Sequence, residues 1–138
     1  MGFVIDQNKI YQMRDMNNLI IYHKRVMTRQ IDSFSINVPL AQKIVDMDNS
    51  RRSLQISKCF FEILSSLPND TIIKDIDVLF NPIYKIDVMT VLTSTYKYHH
   101  FSLIWPGEYA DGKLVYSEKG YPDYKEFEVR KYDIILVI

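Results

Sequence analysis

Short apolar runs alternate along the chain with segments that have helical periodicity. Leu19–Tyr22 is a continuous apolar run, which predicts a buried strand, and residues 34–38 predict a second strand. The clearest predicted helix starts at Ser53, whose hydroxyl can cap its first turn, and is ended by Pro68. Its apolar residues recur at three- and four-residue spacing and predict one broad buried stripe: Ile56, Cys59, Phe60, Ile63, Leu64 and Leu67.

The remaining periodicity completes an alternating order of strands and helices. This order is typical of a mostly parallel sheet, so we expect a single three-layer α/β domain over residues 1–138. The C-terminal third is β-rich and contains an Asp111-Gly112 turn signal, which predicts a hairpin and a mixed sheet. The other predicted elements are helices over residues 39–47 and 82–95 and strands over residues 71–80, 100–105, 113–117 and 133–138.

Composition restricts the class of protein without naming a function. The 138 residues are 47% hydrophobic and 25% charged, which is typical of one globular domain. The 17 basic and 17 acidic residues cancel, so there is no global attraction to nucleic acid or anionic membranes. Cys59 is the single cysteine, which excludes an internal disulfide and a four-thiolate zinc site. Neither a membrane-length apolar run nor a signal peptide is recognisable, and we expect a cytoplasmic protein without a membrane partner.

The segment after the first predicted strand lacks what a phosphate loop needs. In a small nucleotide-binding α/β domain this segment holds phosphates with glycine backbone N–H groups, a lysine and a Ser or Thr. In this chain no glycine occurs between Gly2 and Gly107. We therefore expect a P-loop-NTPase-like fold without a normal NTPase site, no catalytic activity and no cofactor.

Basic residues nevertheless gather in this segment. Lys24, Arg25, Thr28 and Arg29 follow the strand, and ligands of open α/β sheets bind beyond the carboxyl ends of strands. These four residues are candidates for binding the phosphates of a nucleotide or of nucleic acid. The alternative is a solvated basic loop, because cations without a glycine cradle hold phosphate weakly.

Asp75 and Asp77 are the candidate metal ligands. They are expected near the carboxyl end of the strand over residues 71–80, where strand alternation directs both carboxylates to one face. Carboxylate oxygens are ligands that Mg²⁺ prefers in proteins. The alternative is a turn at the end of the strand, or salt bridges with nearby lysines.

An excess of tyrosine indicates a partner-binding surface in the C-terminal third. Residues 108–128 are expected to project from the parallel sheet as a hairpin or loop. Aromatic side chains concentrate at protein interfaces, and they also stack bases in proteins that bind single strands. An interface is favoured because this segment has more acidic than basic residues; a further alternative is that the rings complete the core. The candidate partner-binding residues are Tyr109, Tyr116, Tyr121 and Tyr124.

From residue 79 onward, several motifs follow one another in a recognisable order. Leu79-Phe80-Asn81-Pro82 looks like the end of a Walker-B-type strand that runs into a helix. After it come Ile104-Trp105-Pro106-Gly107-Glu108, Gly112-Lys113-Leu114-Val115-Tyr116 and Gly120-Tyr121-Pro122-Asp123-Tyr124. This succession resembles the BrxF family, the small P-loop proteins of BREX phage-defence systems, in which the segment reads much like W-x-G, L-x-Y and H-P-E-Y. Independently of the resemblance, Trp105 is predicted to be structural, since it follows an apolar strand and precedes a Pro-Gly turn.

The resemblance implies a P-loop-like fold and a place in the assembly of a defence system, whose other subunits would be the partners. Two departures separate the chain from the family. The phosphate-loop position reads His23-Lys24-Arg25-Val26-Met27-Thr28, and Lys74 stands where the metal-holding aspartate is expected, with Asp75 one place further on. The leading hypothesis is therefore a non-catalytic interaction subunit. The alternative is a nucleotide- or nucleic-acid-binding protein that uses the basic loop.

Overall fold

Two β-sheets and three α-helices make up the described part of the chain. The computed structural model describes residues 1–13, 16–26, 32–45 and 52–138. The strands are β1 (Phe3–Ile5), β2 (Leu19–Tyr22), β3 (Phe34–Ser35), β4 (Thr71–Lys74), β5 (Phe101–Ile104), β6 (Glu108–Ala110), β7 (Lys113–Tyr116), β8 (Lys125–Glu128) and β9 (Ile134–Val137). The α-helices are α1 (Asn37–Ile44), α2 (Arg52–Ser65) and α3 (Val88–Tyr98), and short 3₁₀ helices cover Gln7–Met13, Asp77–Phe80, Pro82–Tyr84 and Val129–Lys131.

The larger sheet has six strands in the order β1-β9-β2-β5-β4-β3. Every pairing in it is parallel, which confirms the predicted α/β class. The prediction of a mixed sheet was wrong, because the antiparallel strands β6, β7 and β8 form a separate three-stranded sheet. The predicted hairpin is present as β6 and β7 around Asp111-Gly112, and β8 extends it.

The α-helices cover one face of the parallel sheet, because the right-handed crossovers from β3 to β4 and from β4 to β5 run in the same direction across it. For the described part of the chain, the predicted three-layer arrangement was therefore wrong. Leu19 and Ile21 of β2 are fully buried on this face, and Phe60 of α2 meets Phe101 of β5 edge to face with ring centroids 6.0 Å apart. Alternation directs Ile20 and Tyr22 to the opposite face, where they are only half-buried. The two faces of the central strand therefore have different surroundings.

Helix α2 confirms the predicted apolar stripe. It spans Arg52–Ser65 and ends shortly before Pro68, which cannot continue a helix. The Ser53 side chain lies outside the described residues, so its predicted cap has no structural account. The buried residues of the stripe are Ile56, Cys59, Phe60, Ile63 and Leu64.

The strand predicted over residues 71–80 was wrong beyond Lys74. Asp75 has a φ of 53°, which takes the backbone out of the extended conformation, and a 3₁₀ helix follows at Asp77–Phe80. Asn37 fixes this turn, because its side-chain oxygen accepts a 2.9 Å hydrogen bond from the Val78 N–H. The strand is therefore ended by a contact between residues that are far apart in sequence.

Two further boundaries differ from the sequence prediction. The helix expected over residues 82–95 is divided, because Lys85 adopts a φ of 50° and α3 starts only after Asp87, whose carboxylate caps the Thr90 N–H at 3.3 Å. The strand expected over residues 34–38 ends at Ser35, and α1 begins at Asn37. Met47, the expected end of that helix, lies outside the described residues. In the part of the chain that the structure describes, no helix has the length and apolar character needed to span a membrane.

Candidate functional site at the carboxyl edge of the sheet

The connections of the parallel sheet change direction at the neighbouring strands β2 and β5. The chain leaves β2 toward β3 at one edge of the sheet, and it leaves β5 toward β9 on the other side of β2. Open α/β sheets bind ligands in the crevice beyond the carboxyl ends of such strands. At this point the backbone N–H of Trp105 donates a 2.9 Å hydrogen bond to the Tyr22 carbonyl. The residues that follow Tyr22 and Ile104 are therefore the candidate site.

An ion pair crosses this crevice. The Lys24 ammonium, two residues beyond β2, contacts the carboxylate of Glu108, the first residue of β6. The hydrogen bond from Lys24 lowers the pKa of Glu108 and so favours its charged form. Lys24 is therefore already paired with a carboxylate inside the protein.

His23 lies buried beside this ion pair. Its Nδ1 accepts a 3.1 Å hydrogen bond from the Arg25 backbone N–H, and its Nε2 is 3.8 Å from a Glu108 carboxylate oxygen. Burial lowers the pKa of His23 and favours the neutral imidazole, although Glu108 opposes this shift. His23 therefore acts as a hydrogen-bond acceptor that shapes the turn after β2.

Two of the four residues that were predicted to bind phosphate lie in the described part of the chain. Lys24 and Arg25 lie in the turn after β2, and the side chain of Arg25 is exposed. Thr28 and Arg29 lie outside the described residues. The structure thus brings one paired and one exposed cation to the crevice, and phosphate binding stays a prediction.

Asp75 and Asp77 have different hydrogen-bond partners. Ser35 Oγ donates to Asp75 Oδ2 at 2.7 Å. Asp77 accepts from Asn37 Nδ2 at 3.1 Å and from the Tyr116 hydroxyl at 2.9 Å, so each of its oxygens has a protein donor. The prediction that strand alternation directs both carboxylates to one face was wrong, because the strand ends at Lys74.

The same part of the sheet edge offers few metal ligands. Within residues 1–13, 16–26, 32–45 and 52–138, no three histidine, cysteine, aspartate or glutamate side chains are grouped closely enough to hold a metal ion. Within those described ranges, Asp75 and Asp77 therefore have no third histidine, cysteine or carboxylate close enough to complete a metal site. Magnesium binding by this pair stays a prediction.

Trp105 joins the two sheets. It is fully buried, as predicted for a structural residue, and its indole Nε1 donates a 3.0 Å hydrogen bond to the Val115 carbonyl of β7. Its ring meets Phe80 edge to face at 5.7 Å and Phe127 of β8 at 6.0 Å. The small sheet is therefore attached to the core through the residue that ends β5.

Tyr116 connects this aromatic cluster to Asp77. Its ring stacks on Phe80 with a centroid distance of 3.8 Å and an interplanar angle of 13°. Burial and the hydrogen bond to the Asp77 carboxylate both raise the pKa of Tyr116, so its hydroxyl stays protonated. Tyr116 thus holds the small sheet against the turn that follows β4.

The structure separates the four candidate partner-binding tyrosines. Tyr109 and Tyr116 pack against the hydrophobic core, as the alternative interpretation expected. Tyr124 is half-buried, and its hydroxyl donates a 2.9 Å hydrogen bond to Glu126. Tyr121 is 61% exposed at the turn between β7 and β8. Tyr121 is therefore the most accessible of the four.

Two of the sequence motifs meet at one cleft. It has a volume of about 410 Å³, and its walls come from the turn after β4 and from the turn between β7 and β8. Ser117 Oγ donates a 2.7 Å hydrogen bond to Asp123 and fixes the second wall. The lining residues are Asp77, Phe80, Asn81, Pro82, Pro122 and Asp123.

Sequence reasoning missed three residues that shape this edge. Glu108 ends the Trp-Pro-Gly-Glu motif, and its charge opposite to the basic segment was a usable signal. Ser35 and Asn37 gave no comparable signal, because their partners Asp75 and Asp77 are each 40 residues away in the chain. Such contacts depend on the pairing of β3 with β4.

Comparisons of the chain with protein-family models, with curated proteins and with solved structures found no match.

Proposed function

We propose that this protein is a non-catalytic interaction subunit of a phage-defence complex of the BREX kind, built on a degenerate P-loop-NTPase-like domain. It supports the assembly of other subunits and does not hydrolyse nucleotide. Its cleft between the turn after β4 and the turn between β7 and β8, together with Tyr121, is the proposed partner-binding surface.

The observation that carries this proposal is the Lys24–Glu108 ion pair across the crevice between β2 and β5. A phosphate loop needs backbone N–H groups that converge on the phosphates and a lysine that is free to reach them. Here the segment has no glycine, and its first lysine is bound by a carboxylate from β6. Phosphate would have to displace Glu108 without the help of a glycine cradle.

The arrangement of the motifs supports the defence setting. Leu79-Phe80-Asn81-Pro82 and Gly120-Tyr121-Pro122-Asp123-Tyr124 are among the segments that resemble the BrxF family, and both contribute to the cleft. Trp105 and Gly107, from a third such segment, contact β7 and hold the small sheet in place. The resemblance therefore falls on residues that form one surface and its support.

Binding of nucleotide or nucleic acid through the basic loop is the weaker alternative. It needs several cations at the crevice, yet Lys24 is paired with Glu108. Exposed Arg25 alone supplies little binding energy at physiological salt. Arg25 is the described residue on which that alternative depends.

The interface is tested by replacing Tyr121 and Tyr124 with serine. We expect the double variant to keep its thermal midpoint and to lose co-purification with the products of neighbouring genes, since aromatic side chains often contribute most to the binding energy of an interface. The measurement is co-purification after co-expression, with the folded fraction determined by circular dichroism.

The matched control is Tyr11→Ser, because Tyr11 is as exposed as Tyr121, at 61%, and lies outside the small sheet. This control should bind the partners like the wild type. A large loss of stability in the double variant, with binding retained per folded molecule, would assign the two tyrosines to the core and refute the interface.

A further inference from the structure

We propose that the groove between α2 and α3 binds an acidic amphipathic helix of another protein. The groove has a volume of about 390 Å³ and lies on the outer surface of the helical layer. It is distinct from the cleft at the carboxyl edge, with which it shares no lining residue. This inference rests on the proposed function, since it gives the interaction subunit a second contact surface.

The shape of the groove follows from the topology. Helix α2 is the second of the two helices between β3 and β4, and α3 leads from β4 to β5, so each of them precedes a strand of the parallel sheet and ends near its amino edge. Two such helices lie side by side, and a furrow lies between their outer faces. An amphipathic helix fits a furrow of this kind through residues at i, i+3, i+4 and i+7.

The floor of the groove allows close approach. Val91 and Thr95 form part of it and are buried, while the small side chains Ser57, Thr90 and Ser94 line its sides. Small residues at a helix contact let a third backbone approach closely. Serine and threonine hydroxyls can also bond within their own helix, as Thr93 does to the Met89 carbonyl at 2.9 Å, so polar residues here need not be left without partners.

The rim is aromatic and exposed. Phe61 of α2 and Tyr98 of α3 meet edge to face with ring centroids 6.0 Å apart and bridge the two helices. Phe61 is 38% exposed and Tyr98 is 81% exposed, and Leu54, two turns before Phe61 on α2, is also 81% exposed. Large apolar side chains exposed side by side on a structured surface indicate a binding site.

The charge of the groove indicates the occupant. Lys58 is the charged residue of its lining, and no carboxylate lines it. Among the described residues Lys58 forms no ion pair, whereas the neighbouring Glu62 is paired with Lys43 at 3.5 Å. A helix with carboxylates along the edge of its apolar face therefore complements this surface.

A second copy of this chain fits the groove less well. In a two-fold contact the same patch faces itself, so each of the two facing surfaces would bring a lysine and no lining carboxylate to the contact. The nearest carboxylate, Glu62, is already engaged with Lys43. A partner of opposite charge removes this repulsion.

The test uses two synthetic amphipathic helices with leucine at i, i+3, i+4 and i+7. One has glutamate beside the leucines and the other has lysine at the same positions. Each is titrated into the full chain while fluorescence anisotropy and backbone amide shifts are recorded. We expect saturable binding of the glutamate helix, amide shifts confined to α2 and α3, and weaker binding of the lysine helix.

Single substitutions then test the named residues. Tyr98→Ser is expected to weaken the glutamate helix at least about tenfold, since it removes an exposed aromatic anchor. Lys58→Glu is expected to weaken the same helix about fivefold and to favour the lysine helix instead. Lys97→Glu is the matched control, because Lys97 lies on α3 outside the groove lining and should change binding less than about twofold.

Equal binding of both helices by the wild type, amide shifts outside α2 and α3, or no binding at all would overturn this proposal. So would self-association in which dilution shifts the amides of α2 and α3, because the groove would then be an interface between copies. The titration needs none of the defence-system partners, so its failure leaves the proposed function standing. Conversely, if the co-purification test refuted the Tyr121 interface, the expected result of the groove titration would be unchanged.

Discussion

Replacing Trp105 with alanine is expected to lower the free energy of unfolding by about 3–5 kcal/mol, the usual cost of truncating a buried tryptophan. The indole is fully buried, contacts Phe80 and Phe127 edge to face, and donates its N–H to the Val115 carbonyl. Its removal leaves a cavity between the two sheets and takes one hydrogen bond from the Val115 carbonyl. Chemical denaturation followed by far-ultraviolet circular dichroism measures the loss.

Trp105→Phe is the control for this prediction. Phenylalanine keeps a ring between Phe80 and Phe127 but has no N–H, so we expect a smaller loss, about 1–3 kcal/mol, from the lost hydrogen bond to the Val115 carbonyl and the reduced ring. An unchanged thermal midpoint in Trp105→Ala, together with lost binding of a partner, would instead show that Trp105 is functional surface.

Replacing Gly107 with alanine is expected to destabilise the protein by about 2–4 kcal/mol, through overpacking and the loss of a hydrogen bond. A Cβ atom at this position would overlap the Val115 carbonyl oxygen and would lie 3.0 Å from the Trp105 Nε1. It therefore enters the place where the indole donates to β7. Thermal or chemical unfolding gives the magnitude of the effect.

Tryptophan fluorescence separates this clash from ordinary backbone strain, because Trp105 is the single tryptophan. Gly107→Ala should shift its emission to longer wavelength as the indole gains contact with water. Gly112→Ala is the matched control: this glycine has a φ of +77° and open space around it, so alanine there costs about 1–2 kcal/mol of strain and leaves the emission unchanged. Unchanged emission and stability in Gly107→Ala would contradict the account of how the small sheet is attached.

Elements whose side chains follow a strong period could be predicted from the sequence. The apolar stripe of α2, the buried run of β2 and the Asp111-Gly112 hairpin all appear in the structure near their expected positions. The strand β1 was missed because Phe3–Ile5 is a three-residue run, too short to show a period, and it is stabilised by pairing with β9 at the other end of the chain.

The wrong boundaries share a physical cause. Residues 75–80 read as a continuation of β4, but Asp75 turns the backbone and Asn37 binds the Val78 N–H from a distant part of the chain. The helix predicted from Pro82 is divided by Lys85, whose φ of 50° is unfavourable for lysine and has no sequence signal. In both places a non-glycine residue with a positive φ interrupts the element, although the apolar pattern continues past it.

The position of the candidate site could be predicted from the sequence, but the contacts between its side chains could not. The missing glycines indicated that the loop after β2 was unusual. In the structure, Glu108 forms an ion pair with Lys24 of that loop. The tyrosine excess indicated residues 108–128, yet sequence alone could not separate half-buried Tyr116, stacked on Phe80, from exposed Tyr121. Burial of a ring depends on which strand faces the core, and a one-residue change of register reverses it.

Nucleotide turnover is the measurement that tests the central claim most directly. ATP and GTP are each incubated with the purified chain and Mg²⁺, and released phosphate is followed over time. The account predicts no phosphate above the protein-free control, because no preorganised glycine cradle stabilises the transferring phosphoryl group. Turnover of about 1 s⁻¹, at the low end of typical enzymes, that disappears in Asp75→Asn would contradict it. Asparagine is the suitable replacement, since it removes the charge of Asp75 and tolerates the φ of 53° found there.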